Sequence, residues 1–71
     1  MSSSRTRVAT AIAEIVERLS SAEDDLLQWE SVARSSPRDD DLVSAADIMS
    51  ISVHELRDIS RVLEATRRIL V

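Results

Sequence analysis

The chain has 71 residues, no cysteine, no glycine, one proline and one aromatic side chain, Trp29, and its net charge is −4. Those values bound it to one small domain with no disulfide staple and no thiolate metal site, and they give it the wrong sign for an autonomous binder of phosphate backbones. No apolar run approaches the ~18 residues of a membrane span, the N-terminus carries no signal-peptide core, and the expected compartment is the cytoplasm.

Residues 1–4 read as a short flexible tail, with Ser4 or Thr6 able to cap the first helix. From Val8 the apolar residues fall at Val8, Ile12, Ile15, Leu19, Ala22, Leu26, Trp29 and Ala33. Alternating gaps of four and three make an unbroken a/d heptad, which commits the stretch to a helix lying against another helix. A strand would need a period of two. The predicted helix spans about 5–34. Ser20 with Glu23 and Ser21 with Asp24 have capping-box spacing, but the heptad passes through them without a phase shift, and one continuous helix is expected. On its outer face Glu14 with Arg18 and Glu30 with Arg34 are favourable i,i+4 pairs.

Ser36-Pro37-Arg38-Asp39 marks the reversal. It supplies an N-cap serine, a proline at the first helical position and a carboxylate two residues on, with Asp40 and Asp41 beside the positive end of the helix dipole. Residues 35–36 are the expected turn. A link this short folds the second helix, about 37–70, antiparallel on the first. Its seam runs through Leu42, Ala46, Met49, Val53, Leu56, Ser60, Leu63, Arg67 and Leu70, and a second stripe lies beside it at Ala45, Ile48, Ile59, Val62 and Ile69. Two stripes make a face wider than one partner helix covers. Glu64 with Arg68 is a further i,i+4 pair. The predicted fold is all-α: two long antiparallel helices in a single hairpin domain, 5–71, completed by a second chain to a four-helix bundle or coiled coil.

Chemistry finds little purchase. Asp39, Asp40 and Asp41 are accounted for together as cap and dipole complement, and calcium loops spread their ligands over a longer, glycine-containing loop. His54 and Asp58 stand at i,i+4 but lack a third ligand for zinc. With one histidine, no cysteine, no lysine and no glycine-rich loop there is no catalytic constellation. The expectation is no enzyme, no catalytic residue, no cofactor and no metal. A sharper alternative is a DNA-binding helix-turn-helix over 42–61, with a turn at Ser50-Ile51-Ser52 and His54, Arg57 and Arg61 facing the major groove. Against it stand the missing turn glycine, the acidic Glu55, Asp58 and Glu64 among those arginines, and the overall charge.

The turn followed by Pro37-Arg38-Asp39-Asp40-Asp41-Leu42-Val43-Ser44-Ala45-Ala46 and a long amphipathic helix, Ser35 to Val71 in all, resembles the needle and inner-rod proteins of bacterial type III secretion. The small helical-hairpin co-chaperones that hold needle subunits are similar in outline. The resemblance implies a helix, a Pro/Asp turn and a C-terminal helix that packs on neighbouring subunits. Met49-Ser50-Ile51-Ser52 stands where that family often has Gln and Tyr-Ser.

The function expected from these readings is a non-catalytic protein–protein interaction module acting through helix packing, as a secretion chaperone or structural subunit. Its partner is a second copy (a homodimer) or a helical partner protein, without nucleic acid. Ile12, Ile15, Leu19, Leu26, Met49, Val53, Leu56 and Leu63 are expected to hold the hairpin, and Ile48, Ile59, Val62 and Ile69 to face the partner. Trp29 is a seam residue or an interface anchor. A small inhibitor or regulator of one host protein is the remaining alternative.

Overall fold

The computed structural model describes residues 3–71. They form two helices, α1 (Ser4–Arg34) and α2 (Asp40–Leu70), of 31 residues each. The helices fold back on one another as an antiparallel hairpin whose backbone measures 57 × 16 × 12 Å. Residues 1 and 2 of the expected tail lie outside the described residues. The other two are structured: Ser4 is helical, and Ser3 rather than Ser4 or Thr6 is the N-cap. Its backbone is extended and its hydroxyl accepts from the Thr6 amide at 3.2 Å, with the Thr6 hydroxyl 3.0 Å away. The cap therefore sits one turn ahead of the residue it serves. α1 then runs through Ser20 and Ser21 without a break.

The link differs from the expected one. It covers residues 35–39, and α2 starts three residues later than its proline suggested. The Ser35 amide finishes α1 on the Ser31 and Val32 carbonyls. The Asp39 amide donates to the Ser36 carbonyl at 3.1 Å, closing a four-residue turn with Pro37 in second place. A fixed φ near −65° suits that turn position as well as it suits the first position of a helix. Asp39, not Ser36, is the N-cap of α2, because its carboxylate accepts from two orphan amides, Asp41 at 3.1 Å and Leu42 at 3.2 Å. Asp40 and Asp41 occupy the first turn. At the far end the Arg5 guanidinium donates to the Ile69 carbonyl at 2.8 Å, which puts a cation from α1 on the negative end of α2.

Between the helices lies a thin seam. Only Ala9, Ile12, Ala33, Ala46 and Val53 are buried among the described residues. Leu19, Leu26, Met49, Leu56, Leu63 and Leu70 are half-buried along the same line. On α2 the inward row runs through Ala46, Met49, Val53, Leu56, Ser60, Leu63, Arg67 and Leu70, while Leu42 at its start is exposed. Near the reversal Ala46 is fully covered and Ala33 nearly so; two side chains this small let the backbones approach closely.

On α1 the inward rows are not the predicted ones. Ile12, Leu19, Leu26 and Ala33 face α2, but the row beside them is Ala9, Val16, Glu23 and Glu30. Val8, Ile15 and Trp29 are exposed, so Ile15 does not hold the hairpin and Trp29 is not core. The apolar arc of α1 is three rows wide, and α2 covers only two of them. Which flanking row turned inward was hidden because the buried one carries two glutamates. Glu30 ion-pairs with Arg34 at 3.2 Å. Glu23 keeps one carboxylate oxygen buried without a hydrogen-bond partner.

Candidate interaction face

Two different flanks result from this rotation. On one flank α1 presents Val8, Ile15, Ala22 and Trp29, and α2 presents Ala45, Ser52, Ile59 and Thr66; none of these eight carries a charge. They lie on the same side of the hairpin. Near the reversal Trp29 and Val32 of α1 meet Leu42, Ala45 and Met49 of α2 around a shallow groove of about 340 Å³. The outer edge of this flank on α2 adds Ile48, Val62 and Ile69. Nine of the twelve large exposed apolar side chains among the described residues therefore fall on one face; Leu27, Ile51 and Val71 are the exceptions. Scattered exposed aliphatics need no explanation, whereas a continuous patch of them marks a docking surface.

The two hydroxyls on this face are already satisfied. Ser52 donates to the Ile48 carbonyl at 2.8 Å and Thr66 to the Val62 carbonyl at 2.9 Å. Covering the face would leave neither proton orphaned.

The opposite flank is polar and holds the one ion pair between the helices among the described residues. Arg34 reaches Glu30 on its own helix and Asp47 on α2, both at 3.2 Å. Its hydrogen bond to Glu30, seconded by that to Asp47, raises the guanidinium pKa above the ordinary arginine value. Glu64 pairs with Arg67, one turn on, rather than with Arg68. Arg61 pairs with Asp58 at 2.6 Å. Glu14 and Arg18 make no ion pair within 4 Å among the described residues. Their side chains stay in water, where such a pair gains little.

The five residues expected to meet a partner, Trp29, Ile48, Ile59, Val62 and Ile69, are between 48% and 72% exposed and are brought together on the apolar face. The sequence reading put Val8, Ile15 and Leu42 in the hairpin seams and assigned Val32 no role, yet all four share that face; for Val8 and Ile15 the missed signal was the charge-free row beside the seam. The helix-turn-helix is corrected: Ser50, Ile51 and Ser52 lie within the uninterrupted α2, so there is no turn to set a recognition helix at an angle. His54, Arg57 and Arg61 instead line the outer polar side of a straight hairpin. Among the described residues no group of three or more acidic, histidine or cysteine side chains is arranged to hold a metal ion, and no helix is long and apolar enough to cross a membrane. No protein-family model, curated protein or solved structure matches the chain.

Proposed function

We propose that the chain is a non-catalytic cytoplasmic interaction module that works by laying its apolar face against helices of another polypeptide. The observation that carries this reading is the placement of nine large apolar side chains on one face, with no charge in the two rows nearest the seam. The chain exposes 5388 Å², against about 4,400 Å² for a compact monomer of 7.9 kDa. A two-helix hairpin has no second layer to cover its apolar side, and small chains commonly complete their cores by association. The resemblance of Ser35 to Val71 to secretion needle subunits and their hairpin co-chaperones makes a secretion-apparatus role the specialisation we assign to this module; it is supported by the shared outline of helix, Pro/Asp turn and helix.

Face-specific photo-crosslinking tests the reading. A photoreactive residue at position 59, on the apolar face, is expected to capture a second polypeptide in whole cells, and one at position 57, on the polar flank, is not. Equal capture from both positions, or none from either, overturns the proposal.

A further inference from the structure

α1 is held in the rotation that its apolar pattern does not favour. Beside the central row of Ile12, Leu19, Leu26 and Ala33 runs a charge-free row, Val8, Ile15, Ala22 and Trp29, and the two make an unbroken a/d heptad. The structure keeps the central row inward but pairs it with Ala9, Val16, Glu23 and Glu30. In a seven-residue repeat of two turns the flanking rows stand on opposite sides of the central one, each about 50° from it. Turning α1 about its own axis by that amount exchanges one flanking row for the other. Arg5, whose guanidinium holds the Ile69 carbonyl, belongs to the central row and faces α2 in both cases.

The two rotations carry opposite defects. In the one seen, Val8, Ile15 and Trp29 are wet, at 49%, 42% and 58% exposure, and one Glu23 carboxylate oxygen is buried without a hydrogen-bond partner. An acceptor so placed opposes the packing around it. In the other, the apolar row is covered and both glutamates turn out to water, where Glu30 keeps Arg34 because that pair lies within one helix. The Arg34–Asp47 contact would part, but it is an exposed pair and holds little. The defect of the second rotation lies at the reversal. There Trp29 would enter the layer of Ala33 and Ala46, where the backbones come close, and a side chain of that bulk forces them apart.

We propose that α1 turns between these two rotations and that Trp29 is the stop that holds it in the first. Packed helices exchange between discrete arrangements rather than deforming continuously, and a small free-energy difference leaves the minor arrangement populated. The consequence is control of the apolar face. In the second rotation the α1 half of that face passes from Val8, Ile15, Ala22 and Trp29 to the next row, Ala11, Arg18, Asp25 and Val32, so two charges enter it. Display of the face is set by Trp29, which blocks the second rotation, against Glu23, which is poorly placed in the first. That consequence rests on the interaction-module reading; the rotation itself does not.

Because the chain has no cysteine, thiol labelling of the purified chain reads the rotation with no partner present. With Trp29 in place, the thiol of Ile15→Cys is expected to react faster than that of Val16→Cys. With Trp29→Ala added the order inverts, a change of about tenfold in the ratio of the two rates. Trp29→Leu, a smaller apolar side chain, is expected to give the same inversion and serves where Trp29→Ala does not fold. Adding Glu23→Leu to either variant relieves the first rotation and should bring the original order back. An order that stays the same, or equal rates, in both Trp29 variants with the helical signal intact overturns the second rotation. An order that remains inverted after Glu23→Leu refutes Glu23 as the counterweight. Neither result bears on capture of a partner from position 59, whose absence would end the interaction reading and leave the rotation standing.

Discussion

The two long flanks of this hairpin contribute to its stability in opposite ways. The polar flank closes on the exposed ion pairs Arg34 with Asp47 and Arg61 with Asp58, beside the half-buried carboxylates of Glu30 and Glu64 that pair with Arg34 and Arg67. Pairs of that kind add little to folding. The apolar flank adds nothing while it is wet, yet each large aliphatic side chain on it would contribute about 1.5–3 kcal/mol once covered. With five buried residues in the seam, the fold of one chain is thin, and covering the second flank is where most of the available stabilisation lies. Folding and association are consequently linked, and melting should rise when a partner covers that flank.

The largest effect should come from breaking the apolar flank at its centre. Ile59→Arg replaces a large aliphatic side chain with a charge in a row that carries none. One lost burial of ~1.5–3 kcal/mol corresponds to a complex with the covering partner weakened at least about tenfold. Capture of that partner by a photoreactive residue at position 48, on the same face, measures it. Arg57→Glu, two residues away on the polar flank, is the matched control and should leave that capture unchanged. If the two substitutions behave alike, the flanks are not functionally distinct.

Next in size is a change that tests the seam against the face beside it. Ala46 is fully covered and opposes the small Ala33 near the reversal. Ala46→Leu inserts three carbons where the backbones come closest and should cost about 1–3 kcal/mol, a fall of several degrees in melting temperature for a domain of this size. Ala45→Leu, one residue earlier, points into the shallow groove beside Trp29 and should be tolerated. Equal destabilisation by both would mean that the groove is as tightly filled as the seam.

That one-residue step is also where the sequence stopped being readable. The two helices and the α2 seam derive from the 3.5-residue period, with Met49, Val53, Leu56 and Leu63 in line on α2, and the antiparallel sense derives from the short link between them. On α1 three adjacent rows are apolar enough to serve, and periodicity is blind to a rotation that swaps one flanking row for another. The choice is made by the partner helix: Ala9 is small enough to let α2 approach at one end of the row, whereas Trp29, at the other end of the alternative row, would hold the helices apart beside Ala33 and Ala46. The cap of α2 escaped for a related reason, since proline satisfies a turn and a helix start equally well and only the Asp39 hydrogen bonds distinguish them. The partner-facing residues were visible as a second stripe, but their union with Val8 and Ile15 into one face depends on the rotation of α1 and had no signature in either helix alone.

A third and smaller effect comes from the row that α1 did turn inward. Glu23 and Glu30 are seven residues apart in the same row, and only Glu30 has a partner. An acceptor buried without a donor costs roughly 1–3 kcal/mol, part of which is relieved here because Glu23 is half-exposed as a whole. Glu23→Leu should therefore raise stability by about 1 kcal/mol, read as a higher midpoint in thermal or urea unfolding. A lower midpoint would show that the carboxylate contributes in place, and that the seam is more polar by requirement than by tolerance.

The smallest effect should be that of Arg34→Ala. The guanidinium touches both helices, which on a contact map looks like a clamp, but it is exposed, and water and salt screen both of its carboxylates. Its hydrogen bonds raise its pKa, so any contribution it makes is present below the ordinary arginine value and is lost only on titration above it, beyond any working pH. Unfolding midpoints for Arg34→Ala should track those of the unmodified chain from about pH 6 to 9 with a slight constant offset, and about 1 M salt should erase that offset. Capture of a partner from the apolar face should be unaffected, because Arg34 sits on the opposite flank. A loss of assembly in Arg34→Ala with the fold intact would instead place the partner on the polar flank, where the ion pairs, and not the aliphatic rows, would be the recognition surface.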